Sequence, residues 1–140
     1  MIVEIGGNDV DSNSSPYDIA LAKLNLAREI LSLGVECVVL TTILPRDITR
    51  MVPKQEYRLK ADETNQWTSR FLETDPQRQS LQFHHHKGFW RDDNQNEVDT
   101  TGWSTDGIHP DTPVGLGKLL RSFTRAVHNM VKTHRNAFCR

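Results

Sequence analysis

The chain has 140 residues, of which 36% are apolar and 25% charged, and its formal net charge is −1. That length supplies one domain, predicted to span residues 1–140, and the balanced charge argues against general binding to nucleic acid. No apolar run is long enough to span a membrane and no secretory leader opens the chain, so we expect a soluble, cytoplasmic protein. Cys37 and Cys139 form neither a disulfide framework nor a zinc-ligand spacing, which fits a reducing compartment.

The chain opens with a predicted strand followed by a predicted helix. Residues 1–5, Met-Ile-Val-Glu-Ile, resemble a strand that is buried on both faces. A helix is predicted over 16–33, because Ser15 can cap it, Pro16 suits its first position and Gly34 suits a left-handed end. Its predicted buried stripe recurs at helical spacing: Ile19, Ala22, Leu26, Ile30 and Leu33.

The middle of the chain continues the same alternation. Residues 35–44 are nearly all β-branched or apolar and predict a second strand, covered on both faces. A helix is predicted over 54–73 and a short third strand over 81–85. Residues 91–104 are polar, rich in Asp and Asn and without periodicity, so they predict a loop.

The last predicted element is a helix that begins at Thr112-Pro113. It carries the clearest amphipathic pattern in the chain, formed by Leu116, Leu119, Leu120, Phe123, Val127 and Met130. Residues 132–140 are predicted to fray as a mildly basic tail. Strands that alternate with helices indicate parallel strands joined by crossover helices, so the predicted fold is α/β with a three-layer α/β/α architecture.

Two segments are predicted to lie at the carboxyl ends of the strands, where ligand sites form in parallel sheets. One is Gly6-Gly7-Asn8-Asp9, directly after the first strand, and the other is Asp106-Gly107-Ile108-His109, in the loop before the final helix. Glycine beside Asn or Asp is also ordinary turn chemistry, and each segment alone fits that simpler explanation. Together they indicate more.

An Asp three residues before a His lets the carboxylate accept from one ring nitrogen while the other nitrogen faces a cleft. His109, oriented by Asp106, could therefore act as the general base for a hydroxyl nucleophile. Asn8 offers an amide donor at the end of a neighbouring strand, suited to the charge that grows on a carbonyl oxygen during acyl transfer. The combination predicts ester chemistry.

These residues resemble the SGNH hydrolases, also called GDSL-type esterases and lipases. The third sequence block of that family, Gly-x-Asn-Asp, is matched by residues 6–9, and the fifth, Asp-x-x-His, by Asp106 and His109. The resemblance covers nearly the whole chain. VVLTTILPRD and FHHHKGFW are similar to the form of this domain found in invertebrate genomes, often with mobile elements.

The resemblance implies roles for the matched residues. Asn8 would be an oxyanion-hole donor, His109 the general base and Asp106 its partner, with Gly6 and Asp9 supporting the site. The substrate would be a small ester or an acetylated compound, and no cofactor or metal is implied. The implied fold is the flavodoxin-like sheet of the family.

The chain departs from the family pattern at its start. In the family a Gly-Asp-Ser block with the nucleophilic serine and a second block with an oxyanion-hole glycine precede Gly-x-Asn-Asp, whereas only residues 1–5 precede it here. The chain therefore resembles the carboxyl-terminal portion of the domain, and Ser12, Ser14, Ser15 and Ser104 are poor substitutes for the nucleophile. The alternative is a catalytically inactive remnant or interaction module, derived from a mobile element.

The missing first strand has a predicted physical consequence. Without it, residues 1–5 would be an open apolar strand edge, and such edges recruit partners. We therefore expect a chain that is marginally stable, dimeric or prone to aggregation. Glu4 is explained only if it faces solvent at that edge.

The histidine run and the three tryptophans raise the questions of metal binding and nucleic-acid binding. His84 and His86 can share one face of a strand, but no Cys or His at zinc-ligand spacing accompanies them, so a metal site is not predicted. Trp67, Trp90 and Trp103 lack the basic groove that single-stranded nucleic acid requires. At least one of Trp90 and Trp103 is expected to cover the acyl pocket or the core.

Overall fold

The structure is a computed structural model that describes residues 1–89 and 98–138. Its helices and strands alternate along the chain: β1 (Ile2–Val3), α1 (Gly7–Val10), α2 (Pro16–Ser32), β2 (Val38–Thr41), α3 (Lys54–Thr74), β3 (Leu81–His84), a 3₁₀ turn (Thr100–Gly102) and α4 (Pro113–Phe138). The predicted α/β class is confirmed. Trp90, the first half of the predicted loop (residues 91–97) and Cys139 lie outside the described residues.

The three strands form one parallel sheet in the order β1-β2-β3. Val3 pairs with Leu40, and Leu40 pairs in turn with Phe83. The predicted parallel strands with crossover helices are therefore confirmed, although the strands are shorter than the sequence predicts. All four residues of β2 are buried, as expected for the central strand of a sheet that is covered on both faces.

One face of the sheet packs against α2 and α3. Val3, Val38 and Leu40 point to this face and meet Leu24 of α2 and Leu72 of α3 in a single apolar cluster. Alternate residues of a strand point to opposite faces, so Glu4, next to Val3, points to the other face. The sheet therefore has one apolar face, and its other face carries the Glu4 carboxylate at the end of β1.

The helix α2 has the predicted ends but not the whole predicted buried stripe. The Ser15 side chain accepts from the backbone N–H of Asp18, and Gly34 has the left-handed φ of 91° that favours glycine after a helix. Ile19 is buried as predicted, but Leu26 and Leu33 are exposed. The buried residues of α2 are Ile19, Ala20, Lys23, Leu24 and Ala27. Ile30 is partly buried against the core, so the predicted stripe is right at Ile19 and Ile30 and wrong at Ala22, Leu26 and Leu33, which are exposed.

The amphipathic pattern of α4 does not coincide with its buried face. Gly115, Ser122 and Ala126 are buried, whereas Leu116 and Leu120 are 53% and 67% exposed. The helix extends to Phe138, into the segment 132–140 for which a frayed tail is predicted. Its last three turns contain neither Gly nor Pro, so the sequence gives the helix no reason to stop at 132.

No helix in the described part of the chain combines the length and the apolar composition that are needed to cross a bilayer.

Trp103 is buried and lies beside Phe89, with 6.2 Å between the ring centroids. The prediction that one of the two late tryptophans covers the core is therefore confirmed for Trp103.

Candidate functional site

The carboxyl end of β1 turns sharply into α1, which carries Asn8. Gly6 makes the turn with a φ of 104°, a left-handed conformation that side chains disfavour. A Cβ atom on Gly6 would also lie 3.3 Å from Cδ1 of Ile43, tighter than ordinary packing allows. Asn8 and Asp9 are both exposed on the short helix. The predicted supporting role of Gly6 thus has a physical basis in the backbone.

The side chain of Asn8 is held by Arg46, which follows β2. Nη2 of Arg46 donates to Oδ1 of Asn8 over 2.6 Å. Because the carbonyl oxygen of the amide is engaged, the NH₂ group of Asn8 is left to donate elsewhere. A Cβ atom on Gly7 would lie 3.0 Å from the same Nη2, so the glycine makes room for the guanidinium.

Arg46 is itself fixed by two buried groups. Nη1 of Arg46 donates to Oδ2 of Asp11 over 3.3 Å, and its guanidinium carbon lies 5.4 Å from the centre of the Tyr57 ring. The Tyr57 hydroxyl donates to the carbonyl oxygen of Leu44 over 3.0 Å, and burial raises its pKa. Arg46 is therefore a positioned residue that carries the Asn8 amide.

Asp11 organises the segment that follows Arg46. Its two carboxylate oxygens accept from the backbone N–H groups of Arg50, Met51 and Val52 at 2.8, 2.8 and 3.1 Å. Burial acts to raise the pKa of Asp11, but these three donors and Arg46 outweigh it and the pKa is lowered. The sequence did not predict this role, because the three backbone partners of Asp11 lie 39 to 41 positions away.

The predicted pair of Asp106 and His109 is formed. Nδ1 of His109 donates to Oδ2 of Asp106 over 2.5 Å, while Oδ1 of Asp106 accepts from the Ser104 hydroxyl and the Ile108 and His109 backbone N–H groups. The Ser104 hydroxyl and the two backbone donors, together with the ring, lower the pKa of Asp106. The His109 side chain is 66% exposed, and its Nε2 atom remains open to a further partner.

The loop that carries this pair docks onto the segment after β2. The carbonyl oxygen of Gly107 accepts from the backbone N–H groups of Asp47 and Ile48 at 2.9 and 3.2 Å. Gly107 has a φ of 65°, and a Cβ atom there would lie 2.6 Å from Cγ1 of Ile48. Only glycine fits this contact. The segment 46–48 therefore holds Asn8 through Arg46 and the Asp106–His109 loop through its backbone.

The serines considered as substitutes for the nucleophile are engaged in local bonds. Ser15 caps α2 and donates to Oδ2 of Asp18 over 2.6 Å, and Ser104 donates to Asp106. Ser12 donates to the carbonyl oxygen of Asp9 and contacts the hydroxyl of Ser14. Each serine has a structural explanation in its own turn.

A cavity of about 380 Å³ adjoins Arg46 on the side of α3. Its lining combines apolar and charged residues: Ile43, Pro45, Arg46, Lys54, Gln55, Tyr57, Arg58, Ala61, Asp62 and Val98. Asp106 and His109 are not part of this lining. The cavity therefore adjoins Arg46, which holds Asn8, and is not lined by His109.

A second polar cluster, which sequence analysis missed, lies between the sheet and α4. The Ser122 hydroxyl lies 2.8 Å from Nδ1 of His86 and 2.9 Å from Nε2 of His84, and Nε2 of His86 bonds to the Glu4 carboxylate. Glu4 also accepts from the Thr41 hydroxyl. The sequence explained Glu4 only at a solvent-facing edge, but its carboxylate is 26% exposed and is accounted for by its bonds to Thr41 and His86.

The prediction that His84 and His86 share one side is confirmed by their common partner, Ser122. His85 points the other way and packs against Phe83, with 4.9 Å between the rings. Within residues 1–89 and 98–138, no group of three His, Cys, Asp or Glu side chains is arranged to hold a metal ion. The sequence signal for this cluster was the His-His-His run, but its partners lie 36 and 82 positions away.

Comparison with known proteins adds no relative: no family model, no curated protein and no solved structure matches the chain.

Proposed function

We propose that the chain is part of an SGNH-type ester hydrolase domain with a three-layer α/β/α fold, whose serine block is absent from the sequence in hand. In this assignment His109 is the general base, Asp106 orients it and Asn8 donates to the oxyanion. Gly6 and Asp9 support the turn that presents Asn8. The substrate is a small ester or an acetylated compound.

The observation that carries the proposal is the bond between His109 and Asp106 on a loop that docks beside Arg46. The Asp106 carboxylate accepts from Nδ1–H of His109, so the ring is in the tautomer whose Nε2 carries no proton. Nε2 can therefore accept a proton from a hydroxyl. The neighbouring Arg46 holds the Asn8 carbonyl oxygen, so the amide NH₂ is the group available to a developing oxyanion. Both halves of the proposed site depend on the single segment 46–48.

The experiment begins with the transcript upstream of the Met1 codon. The proposal expects a strand ending in Gly-Asp-Ser to be encoded there, and it expects the extended chain to hydrolyse p-nitrophenyl acetate. His109→Ala should lower kcat by about 10²- to 10⁴-fold, the usual range for loss of a general base. Asn8→Ala should lower it about 10²- to 10³-fold, as expected for loss of an oxyanion donor.

The matched control is His128→Ala, which removes an exposed histidine of α4 and should leave turnover unchanged. The 140-residue chain alone should show no turnover that depends on His109. If the extended chain is active and His109→Ala is as active as His128→Ala, the assignment of the base is wrong. If the short chain already loses turnover on His109→Ala, a nucleophile within it has been overlooked.

The second candidate function is an inactive remnant that binds partners through exposed apolar surface. It is favoured by α4, where Leu116 and Leu120 lie in solvent although the helix is strongly amphipathic. Absence of any upstream Gly-Asp-Ser sequence, together with a stable complex of the 140-residue chain, would support this function and exclude the hydrolase.

A further inference from the structure

A pocket of about 260 Å³ lies between α4 and the residues that follow β3. Its lining is mostly cationic and consists of Lys87, Gly88, Lys118, Arg121, Ser122 and Arg125. Three of the cations and the serine share one face of α4, because positions 118, 121, 122 and 125 are three or four residues apart. Lys87 supplies the opposite wall from just beyond the carboxyl end of β3, the kind of position where ligands bind to parallel sheets.

Among the described residues, an acid pairs with only one of the four cations of this pocket. Lys118 bonds to the Asp99 carboxylate, whose pKa is lowered to about 2 chiefly by that bond. Within the part of the chain that the structure describes, Lys87, Arg121 and Arg125 form no ion pair. The chain as a whole carries a net charge of −1, so this concentration of positive charge is not a reflection of composition.

The inner wall of the pocket is rigid. The Ser122 residue is only 6% exposed and its hydroxyl bonds to both His84 and His86. Because Nε2–H of His86 donates to the Glu4 carboxylate, Nδ1 of the neutral ring accepts from the Ser122 hydroxyl. The serine oxygen accepts in turn from Nε2–H of His84. This chain of bonds ties α4 to β3. The cations therefore project from a fixed helix face, which lowers the entropy lost when they bind a ligand.

We propose that this pocket binds a small, multiply charged oxyanion, namely a phosphate group, free or as the ester of a small molecule. The Arg121 and Arg125 guanidinium groups and the Lys87 ammonium group surround one space, with Lys118 beside them in its pair with Asp99. This set matches an oxyanion with several acceptor oxygens better than a singly charged carboxylate. The volume equals that of about nine water molecules at roughly 30 Å³ each, which admits a phosphate and a short organic part. The site is separate from Asn8 and His109 and does not depend on the proposed hydrolase.

The test is a titration of the folded chain with inorganic phosphate at constant ionic strength, followed by calorimetry and by amide chemical shifts. Saturable binding is expected, with the shifts centred on residues 87–88 and 118–125. Arg121→Gln combined with Arg125→Gln should weaken binding at least about tenfold, since both guanidinium groups lose their charge-assisted hydrogen bonds to the anion. Lys87→Gln, on the loop, should weaken it by a smaller factor. Glycerol 3-phosphate is titrated in parallel, and tighter binding than phosphate identifies an ester as the ligand.

The matched control is Arg78→Gln, an exposed arginine in the turn after α3, which should bind as the unaltered chain does. Far-UV circular dichroism establishes that each variant is folded, and Lys87→Gln provides the comparison if the double variant is not. Equal affinity in the Arg78→Gln and the pocket variants would overturn the proposal. Failure to saturate below about 10 mM phosphate would overturn it too, because the Kd would then exceed about 1 mM.

Discussion

Replacement of Asp11 by alanine is predicted to be among the most damaging single changes in the chain. Asp11 accepts from three consecutive backbone N–H groups and pairs with the buried Arg46. In Asp11→Ala the guanidinium loses its only carboxylate partner in the described residues while its side chain is 9% exposed. Removal of one partner of a buried ion pair destabilises a protein by about 3–5 kcal/mol.

Asp11→Ala is therefore expected to lower the free energy of unfolding by about 3–5 kcal/mol in total. The three backbone N–H groups that lose their acceptor do not add much to this, because they differ in access to water. The N–H group of Val52 is buried, whereas those of Arg50 and Met51 are only partly buried and can be rehydrated. Asp11→Asn keeps one carbonyl oxygen as an acceptor, but its NH₂ group faces donors and cannot bond to them. The free energy of unfolding should therefore fall almost as far as in Asp11→Ala.

Urea unfolding followed by tryptophan fluorescence measures the effect. With a slope of about 2 kcal/mol per M, the midpoint should fall by about 1.5–2.5 M in Asp11→Ala. Asp9→Ala is the matched control, since it removes an exposed carboxylate two positions away and should stay within about 0.5 kcal/mol. If Asp11→Ala and Asp11→Asn both stay within 1 kcal/mol of the unaltered chain, roughly the error of such measurements, the network does not stabilise the fold.

The pH dependence provides a second readout of Asp11. Its pKa in the folded chain is lowered from the usual value of 3.8, so the folded state favours the ionised carboxylate. The resulting stability is present above pH 3.8 and is lost as the pH falls through the lower pKa of the folded state. The drop in unfolding free energy between pH 5 and pH 3 should therefore be smaller in Asp11→Asn, and an equal drop in both chains would contradict this account.

Four further predictions concern three single residues and the self-association of the chain. Gly6→Ala should destabilise the chain by about 1–2 kcal/mol in urea unfolding, because it combines a positive φ with a close approach to Ile43. Ser122→Ala should lower stability by about 2–4 kcal/mol, since it leaves two buried imidazoles without their shared partner; Ser122→Thr, which keeps a hydroxyl, should lose less. Burial lowers the pKa of Lys23 from 10.5 to about 8, so stability should rise between pH 8 and pH 10, and Lys23→Met should remove that rise. Sedimentation and thermal melting should depend on chain concentration, and a sharp, concentration-independent monomer melt would refute self-association through β1.

The local parts of the fold and site were predictable from sequence. Ser15 caps a helix three residues away, Gly34 ends it, and Asp106 reaches a histidine three positions on. Each of these depends on short sequence separations and on one residue's stereochemistry. The alternation of apolar strands and amphipathic helices likewise predicts a parallel sheet.

The long-range parts were not predictable for a physical reason. Arg46 meets Asp11 across 35 positions, and His86 meets Glu4 across 82. A charged residue in an apolar strand is ambiguous in sequence, because its partner is chosen by the packing of distant elements. Glu4 shows this most clearly: its neighbours predict an exposed strand edge, yet its carboxylate lies in a network of hydroxyl and imidazole groups.

The apolar pattern of a helix likewise specifies a stripe but not what covers it. Three leucines of the predicted stripes are exposed: Leu26 of α2 and Leu116 and Leu120 of α4. The helix α4 contacts β1, and the outer edge of β1 has no paired strand within the described residues. One added strand beside β1 would pair that edge and supply apolar surface to both helices.

The hydrolase proposal and the predicted self-association are therefore coupled. If upstream sequence supplies a strand that ends in the nucleophilic serine, the extended chain should gain two properties together: turnover that depends on His109, and a monomeric state in sedimentation. An extended chain that becomes monomeric but stays inactive would retain the fold and exclude the catalytic assignment. Activity without loss of self-association would mean that the added strand lies elsewhere, and the exposed leucines would then need a different partner.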